Sequence, residues 1–239
     1  MIRYFAADLH LDPAQPEIAR RCFEFLTGPV READALYLLG DLFESWIGDD
    51  DPQPTARRLA QCLRHLATNG TAVFLMRGNR DFLLGGDFTR ECGAVLLPDP
   101  VLTDINGRRV LLTHGDALCV DDLPYQRLRA MVRDDAVQAS FLALGVERRQ
   151  ALAGEARAGS RHHTRESAPC LMDVRESAVE NVFRDSGADL IVHGHTHRPA
   201  VHEYEVDGRP RVRVVLGDWH EHGTVLRWDA RGYDLTAPA

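Results

Sequence analysis

Short apolar runs of strand length recur along this chain and alternate with amphipathic segments. Each run contains four to six residues, a length typical of a strand rather than of a helix. The runs occupy residues 3–7, 35–39, 72–76, 109–113, 189–192, 211–216 and 224–228. We therefore predict a strand at each of these seven positions.

Helical periodicity separates several of these strands. Residues 16–26, 54–70 and 174–187 each place apolar side chains three or four positions apart, the spacing of one helix face. The second of these segments begins with a proline and ends at a glycine, which are common helix boundaries. The alternation of strands and helices predicts an α/β protein, and the strand-rich C-terminal part predicts that the sheet is partly antiparallel.

Residues 121–172 interrupt this alternation, because they have helical periodicity and few strand signals. They contain 8 Arg and 7 acidic residues, a net charge of +1, whereas the rest of the chain carries −9. We interpret this insertion (residues 121–172) as an inserted helical lid, which leaves 1–120 and 173–239 as the core; an ordinary helical connection packed on the core is the alternative. Its apolar residues could form a core face or an apolar channel: Leu128, Met131, Val132, Phe141 and Leu142.

The composition is that of a soluble globular protein. The chain has 239 residues, 44% of them hydrophobic and 27% charged, and its net charge of −8 provides no overall positive field for nucleic acid. The five cysteines are scattered, odd in number and without a C-x-x-C pair, which favours a reducing compartment. Neither a signal peptide nor a run of 18 apolar residues is apparent, so we expect a cytoplasmic protein.

Polar residues follow five of the predicted strands at the point where each strand ends. Ligands of open α/β sheets bind beyond the carboxyl ends of the strands, so these five loops should converge on one rim. Glycines beside the polar residues allow sharp backbone turns there. The polar residues are Asp8 and His10; Asp41 and Glu44; Asn79, Arg80 and Asp81; His114 and Asp116; and His193, His195 and His197.

Seven nitrogen and oxygen donors at this rim exceed what one tetrahedral metal needs. They are Asp8, His10, Asp41, Asn79, His114, His195 and His197. The set suits two divalent ions bridged by Asp41, and imidazoles and carboxylates without thiolates favour Mn²⁺, Fe or Zn²⁺ over a structural zinc. Two metals ~3.5–4 Å apart are the arrangement for in-line displacement at phosphorus.

The motifs D-x-H, G-D-x-x-[DE], G-N-x-[DE], H-G-D and G-H-x-H occur in this order, each behind a predicted strand. Together they resemble the calcineurin-like metallophosphoesterase superfamily over the whole chain apart from residues 121–172. The resemblance implies a two-sheet sandwich flanked by helices. It also implies one ion held by Asp8, His10, Asp41 and His197 and a second held by Asp41, Asn79, His114 and His195. The role of Asn79 as a neutral ligand rests on the resemblance alone.

Arg80 occupies a position at which most of the superfamily has a histidine that can assist the leaving group. A guanidinium does not release its proton in a protein and cannot act as a general acid. It can instead bind phosphate oxygens and stabilise charge in the transition state. The leaving group must then depart unaided, which a phosphate monoester with a second pKa of ~6 can do and a simple alkoxide cannot. We assign Asn79 and Arg80 as catalytic residues and expect the reaction to break a pyrophosphate bond.

Longer matches narrow the resemblance to one branch of the superfamily. The segments LFESWIGDDDP (42–52), GNRDFLLG (78–85) and HGHTHRPAVHE (193–203) are similar to the Mn²⁺-dependent branch that hydrolyses UDP-2,3-diacylglucosamine in lipid A synthesis. The resemblance implies two Mn²⁺ per chain, and UMP and 2,3-diacylglucosamine 1-phosphate as products. The substrate contacts that it implies are Asn79, Arg80, Asp122, Tyr125, Arg157, Ser160, Thr164, Arg165, Met172 and His195.

Two features depart from this branch. The branch usually carries a lysine near the end of the lid, whereas this chain has no lysine, so Arg161 or Arg165 is the candidate replacement. Asp218 stands where a small residue is expected, and the sequence offers no physical reason for it.

The insertion is less acidic than the core and can approach an anionic membrane. We therefore expect peripheral association with the cytoplasmic face of the inner membrane, no nucleic-acid ligand and no obligate protein partner.

Two other function classes remain open. A different metallophosphoesterase, such as a nucleotide pyrophosphatase, a phosphodiesterase or a DNA nuclease, would share the metals. It would not be expected to combine Arg80, the segment 42–52 that contains Trp46, and the lid. A non-catalytic scaffold would be expected to have lost ligands, and all seven are present. We interpret Glu44, Asp81 and Asp116 as residues that orient ligands or cap loops. For Trp46 and Phe82 we favour a position in the wall of the substrate cleft, with the core as the alternative.

Overall fold

Two mixed β-sheets pack face to face in the computed structural model of this chain. The structure describes residues 1–166, 173–220 and 223–238, without the side chains of 160–166. The first sheet has the strand order β11-β10-β1-β2-β3-β4, and the second has the order β5-β6-β7-β9-β8. The strands are β1 (Arg3–Ala6), β2 (Ala35–Leu39), β3 (Ala72–Met76), β4 (Val95–Leu96), β5 (Val101–Ile105), β6 (Arg108–Leu112), β7 (Leu190–His193), β8 (Ala200–Val206), β9 (Arg209–Val215), β10 (Val225–Asp229) and β11 (Gly232–Thr236).

The strand directions confirm the mixed sheet expected from the sequence. Strands β1 to β4 run parallel to one another, and β10 pairs antiparallel with β1. In the second sheet β7 is parallel to both β6 and β9, whereas β5 and β8 are antiparallel edge strands. All seven predicted strands are present within two residues of their expected bounds, and the α/β two-sheet fold is confirmed.

Alternating side chains divide the core into layers. In β1, Phe5 points between the two sheets, whereas Tyr4 and Ala6 point towards helices on the outer face. The helices α1 (Pro16–Thr27), α2 (Pro54–Thr68) and α3 (Gly86–Cys92) cover the first sheet. Helix α7 (Glu176–Ser186) covers the second sheet through Val179 and Phe183. These four helices thus flank both sheets.

Helix α2 illustrates why these segments are helical. It begins at Pro54, whose fixed φ suits the first helical position. Its buried residues recur every three or four positions and form one apolar stripe towards the first sheet. They are Ala56, Leu59, Ala60, Leu63 and Leu66.

The described residues of the insertion form three helices and no strand. These are α4 (Leu123–Val132), α5 (Asp135–Leu142) and α6 (Val146–Glu166). Asp134 caps α5 by accepting hydrogen bonds from the backbone N–H groups of Ala136 and Val137. Neither α4 nor α5 has a buried residue, and five large apolar side chains of the insertion are 40–60% exposed: Leu123, Leu128, Met131, Val137 and Leu142. Most of the predicted apolar positions therefore do not form a core face.

Among the described helices, none is long and apolar enough to cross a membrane.

Candidate active site

Most of the unusual backbone conformations among the described residues occur at predicted metal ligands. Among the described residues, seven non-glycine residues have a positive φ, and five of these are predicted ligands. The five are Asp8 (55°), His10 (45°), Asp41 (53°), His195 (68°) and His197 (56°). Left-handed backbone costs roughly 1–2 kcal/mol per residue, and such strain persists where the surrounding structure enforces it, frequently at functional sites. The other two residues, Asn106 and Asp207, precede glycines in hairpin turns.

Backbone contacts hold these loops together. The N–H of Asp8 donates to the carbonyl of Gly40 at 3.0 Å, and that of His10 donates to the carbonyl of Asp41 at 2.9 Å. The loops after β1 and β2 therefore run side by side. A Cβ at Gly78 would collide with the Asp41 carboxylate, so only glycine permits this close approach.

Asp8, His10 and His197 form the first donor group. The Nε2 atoms of His10 and His197 lie 3.2 Å apart, and Asp8 Oδ1 lies 3.6 Å from His197 Nε2. Asp8 Oδ2 accepts from the backbone N–H of His195 at 2.8 Å. Asp8 Oδ1 is buried and accepts no hydrogen bond from a described residue. One atom from each of the three side chains lies within 4.8 Å of the others, which suits a common cation.

Asn79, His114 and His195 form the second donor group. Asn79 Oδ1 lies 2.9 Å from His114 Nε2 and 2.8 Å from His195 Nδ1. His114 Nδ1 lies 2.9 Å from the carbonyl of Leu39, to which it donates, and Nε2 is the ring nitrogen that faces Asn79. Three oxygen and nitrogen atoms from different loops therefore meet at one place.

Asp41 lies between the two groups. Its Oδ2 is 3.8 Å from His10 Nε2, and its Oδ1 is 3.7 Å from His114 Nε2. The backbone N–H of Arg80 donates to Asp41 Oδ1 at 2.7 Å and fixes the carboxylate. Asp41 therefore lies within 4 Å of a histidine from each group.

The carboxylates give the cluster a negative potential that favours cations. Burial lowers the pKa of His114, but Asp41 and Asp8 outweigh it and raise this pKa to about 9. Burial, aided by repulsion from His114, lowers the pKa of His195 to about 4, so that this ring is neutral near pH 7. Carboxylate, amide and imidazole donors in this field, together with the buried oxygen of Asp8, fit divalent cations.

Two of the three acidic residues interpreted as supports, Asp81 and Glu44, contact the ligands or their loops, whereas Asp116 contacts side chains of the insertion. Asp81 is fully buried and accepts from the backbone N–H groups of Gly78 at 2.6 Å and Leu42 at 2.7 Å, which ties two ligand loops together. Glu44 Oε2 lies 3.1 Å from His10 Nδ1. Asp116 is buried and accepts from Arg129 Nε at 2.9 Å.

Two of the predicted substrate contacts come to the same rim from the insertion. The Tyr125 ring stacks against His195 with centroids 5.9 Å apart, and its hydroxyl donates to Asp116 Oδ2 at 2.7 Å. Arg157 forms an ion pair with Glu44. Asp122 caps α4, where its Oδ1 accepts from the backbone N–H of Tyr125 at 3.0 Å. The remaining predicted contacts in the insertion lie outside the described side chains: Ser160, Thr164, Arg165 and Met172, together with Arg161.

Sequence reasoning missed two residues at this site. Asp218 Oδ2 lies 2.9 Å from His197 Nδ1, and the His220 ring stacks on His10 with centroids 5.7 Å apart. Both follow β9, a strand behind which no motif was recognised. The unexplained acidic residue at position 218 was the only available signal.

The interpretation of Trp46 as a cleft wall was wrong. Its side chain is 3% exposed and stacks on Phe43 with centroids 4.6 Å apart. The ring also meets Phe88 of α3 edge to face, at 5.1 Å. Trp46 is therefore part of an aromatic core cluster.

Comparisons with known proteins agree with this geometry. The family model of the calcineurin-like phosphoesterases matches residues 3–199. A Stenotrophomonas maltophilia protein named UDP-2,3-diacylglucosamine hydrolase is 49% identical over 242 residues, which cover 98% of each chain. A protein of the same name from Xanthomonas campestris pv. campestris is 48% identical over 244 residues, again 98% of each chain. A solved archaeal phosphodiesterase, 12% identical, covers 99% of both chains with a TM-score of 0.50 and shares the fold. With a family model that spans most of its length and relatives near half identity, this chain belongs to the calcineurin-like phosphoesterase family.

Proposed function

We propose that this protein hydrolyses the pyrophosphate bond of UDP-2,3-diacylglucosamine to UMP and 2,3-diacylglucosamine 1-phosphate, with two Mn²⁺ ions per chain. The observation that carries the proposal is the convergence of seven donors from five loops, five of them on left-handed backbone. The names of the relatives at 48–49% identity support the substrate.

The side chains of this chain divide the work at the phosphates. When bound, the two ions supply an acidified water and positive charge against the diphosphate. Asp8, His10 and His197 would hold one ion and Asn79, His114 and His195 would hold the other, with Asp41 between them. The backbone N–H of Arg80 keeps the Asp41 carboxylate in this orientation.

The Arg80 guanidinium stabilises negative charge and provides no proton. Water attacks the phosphorus next to uridine and releases a proton to the solvent, and the bond to the bridging oxygen breaks. The sugar 1-phosphate then leaves as a phosphate monoester, which is stable without protonation near pH 7. Arg80 binds the phosphate oxygens as their charge grows. Asn79, which would hold the second ion, is the other residue that we assign to catalysis.

The insertion is suited to an acylated substrate and acts as a lid over the rim. Its exposed apolar side chains include Leu128, Met131 and Leu142 at 48%, 53% and 42% exposure. Covering such surface with acyl chains yields about 25 cal/mol per Å². Tyr125 of α4 reaches the metal ligand His195, and Arg157 of α6 reaches Glu44 beside the site. These two residues bind the headgroup, together with Asp122, Ser160, Thr164, Arg165, Met172 and His195.

Charge distribution supports a peripheral contact with the cytoplasmic face of the inner membrane. The insertion carries a net charge of +1, whereas the rest of the chain carries −9. An anionic surface therefore repels the insertion less than the rest of the chain, and several exposed apolar side chains lie on that part, among them Leu123 and Met131. Salt is expected to weaken the association.

The test is hydrolysis of the diacyl substrate in ¹⁸O-water with Mn²⁺, followed by mass analysis of both products. Label in UMP is expected, and label in the sugar phosphate would contradict attack at the uridine-side phosphorus. UDP-glucose and an aryl phosphodiester serve as comparison substrates, each assayed with and without Mn²⁺. Brisk turnover of either one beside an inert diacyl substrate would reject the proposed substrate.

A further inference from the structure

A sixth loop, residues 216–220 after β9, reaches the candidate metal site. The backbone N–H of Leu216 donates to the carbonyl of His193 at 2.7 Å, which joins this loop to the strand that carries the histidine motif. Trp219 is fully buried and packs near Phe25 of α1 with centroids 5.5 Å apart. Arg21 Nη2 donates to the carbonyls of Trp219 and His220, both at 2.7 Å. The loop is therefore held by contacts to β7 and to α1.

Asp218 is the residue that this loop presents to the site. Its Oδ2 lies 2.9 Å from His197 Nδ1, and its Oδ1 accepts from the backbone N–H of His220 at 3.0 Å. One carboxylate oxygen thus fixes the side chain within its own loop, and the other contacts the imidazole. The Asp218 side chain is 24% exposed, so water reaches part of it but does not separate the pair.

The opposite nitrogen of His197 faces the first donor group. His197 Nε2 lies 3.2 Å from His10 Nε2 and 3.6 Å from Asp8 Oδ1. In a neutral imidazole one nitrogen donates and the other accepts. A carboxylate that accepts from Nδ1–H leaves the lone pair on Nε2, the atom that faces the other two ligands.

We propose that Asp218 is a positioning residue, which sets the tautomer and the orientation of His197 for the first metal ion. The inference rests on the proposed function, because it requires the metal site described above. Carboxylates that hold a ligating histidine typically affect metal affinity by about 10–100-fold. The effect should be confined to the ion that His197 binds, because Asp218 contacts none of the second-group donors in the described structure.

The test is titration of the metal-free full chain with Mn²⁺ by calorimetry, with metal content checked by mass spectrometry. Asp218→Ala is expected to weaken one of two sites about 10–100-fold and to leave the other unchanged. Asp218→Asn should lose much less, since its amide oxygen still accepts from His197 Nδ1. Asp207→Ala, an acidic-residue change in the distant hairpin between β8 and β9, is the control and should bind like wild type.

Two reference variants separate this inference from the proposed function. Asp41→Ala and His197→Ala should both lose Mn²⁺; wild-type binding in both would overturn the metal site itself. Loss in these two beside wild-type affinity in Asp218→Ala would overturn only the role of Asp218. Equal weakening of both ions, or an equal defect in Asp218→Ala and Asp218→Asn accompanied by a lower melting temperature, would identify a merely structural residue and would also overturn the inference.

Discussion

Arg149 of helix α6 forms an ion pair with Asp50, which lies in the loop after β2. Arg149 is 2% exposed, and its Nη1 also donates to the carbonyl of Ile47 at 2.6 Å. Its Nε donates to the carbonyl of Leu144 at 3.0 Å, within the insertion. One guanidinium thus connects the long helix of the insertion to the core beside the candidate active site.

Replacement of Arg149 by Ala should loosen the insertion. The carbonyl of Ile47 would lose its donor, at a cost of roughly 1–3 kcal/mol, whereas the pair with Asp50 adds little because Asp50 is largely exposed. We expect faster hydrogen exchange in α6 and a higher KM for the diacyl substrate, with unchanged Mn²⁺ content. Arg148→Ala removes a neighbouring exposed arginine and is the matched control. Unchanged exchange in Arg149→Ala would contradict the anchoring role.

Removal of the central carboxylate should abolish turnover. Asp41 lies within 4 Å of a histidine from each donor group, so Asp41→Ala should lower the occupancy of both ions. His197→Ala should weaken one ion more than the other. Mass spectrometry measures the metal content of both variants, and circular dichroism checks that they remain folded. Asp87→Ala, at an exposed acidic position, controls for the change in charge. Near wild-type turnover of Asp41→Ala with Mn²⁺ would reject the two-metal assignment.

The Arg80 side chain can be tested separately from its backbone. The backbone N–H that holds Asp41 is retained in any substitution except proline. Arg80→Ala should therefore lose only the guanidinium, at a cost of roughly 2–4 kcal/mol of transition-state stabilisation, measured as kcat/KM. Arg80→His should not rescue the pyrophosphate substrate, although it restores the residue common in the superfamily. Equal rates for Arg80→Ala and the wild type would refute the role.

Cysteine reactivity should follow burial. Burial raises the pKa of Cys22 to about 12 and, aided by Asp116, that of Cys119 to about 12. The thiolate is the nucleophile, so both should resist iodoacetamide at pH 8. Cys62 is only half-buried, and we expect it to be alkylated faster. Mass spectrometry of native and urea-treated protein gives the comparison; similar rates for Cys22 in both states would contradict the packing of α1 against α2.

Local signals were sufficient for the fold class and for the five ligand loops. Apolar runs buried on both faces are readable without tertiary information, as in β2 and β3. Edge strands were harder to predict. In β8 every second residue is exposed, among them Val201, Glu203 and Glu205, and the half-buried face includes His202, so no apolar run marks this strand in the sequence. The two-residue strand β4 is too short for any pattern.

The order of the motifs along the chain brought the ligands to one rim by a general rule of α/β sheets. Their geometry came only from the tertiary structure. The left-handed backbone at Asp8 and His10 is stabilised by hydrogen bonds to the neighbouring loop, and local sequence does not encode it. Likewise, the pattern of the insertion could not distinguish a core face from an apolar channel, because periodicity fixes which side chains share a helix face and not what covers that face.

The contact between Asp218 and His197 could not be predicted from the sequence by itself. Position 218 lies 21 residues beyond His197 and follows a different strand, so no spacing rule relates the two. The parallel pairing of β7 with β9 brings their ends together, and the buried Trp219 then directs the carboxylate towards the imidazole. The sequence determined which chemical groups are available, because residue types and strand ends are local properties. Only the packed sheets determined which of them touch, because contacts between distant segments depend on the whole fold.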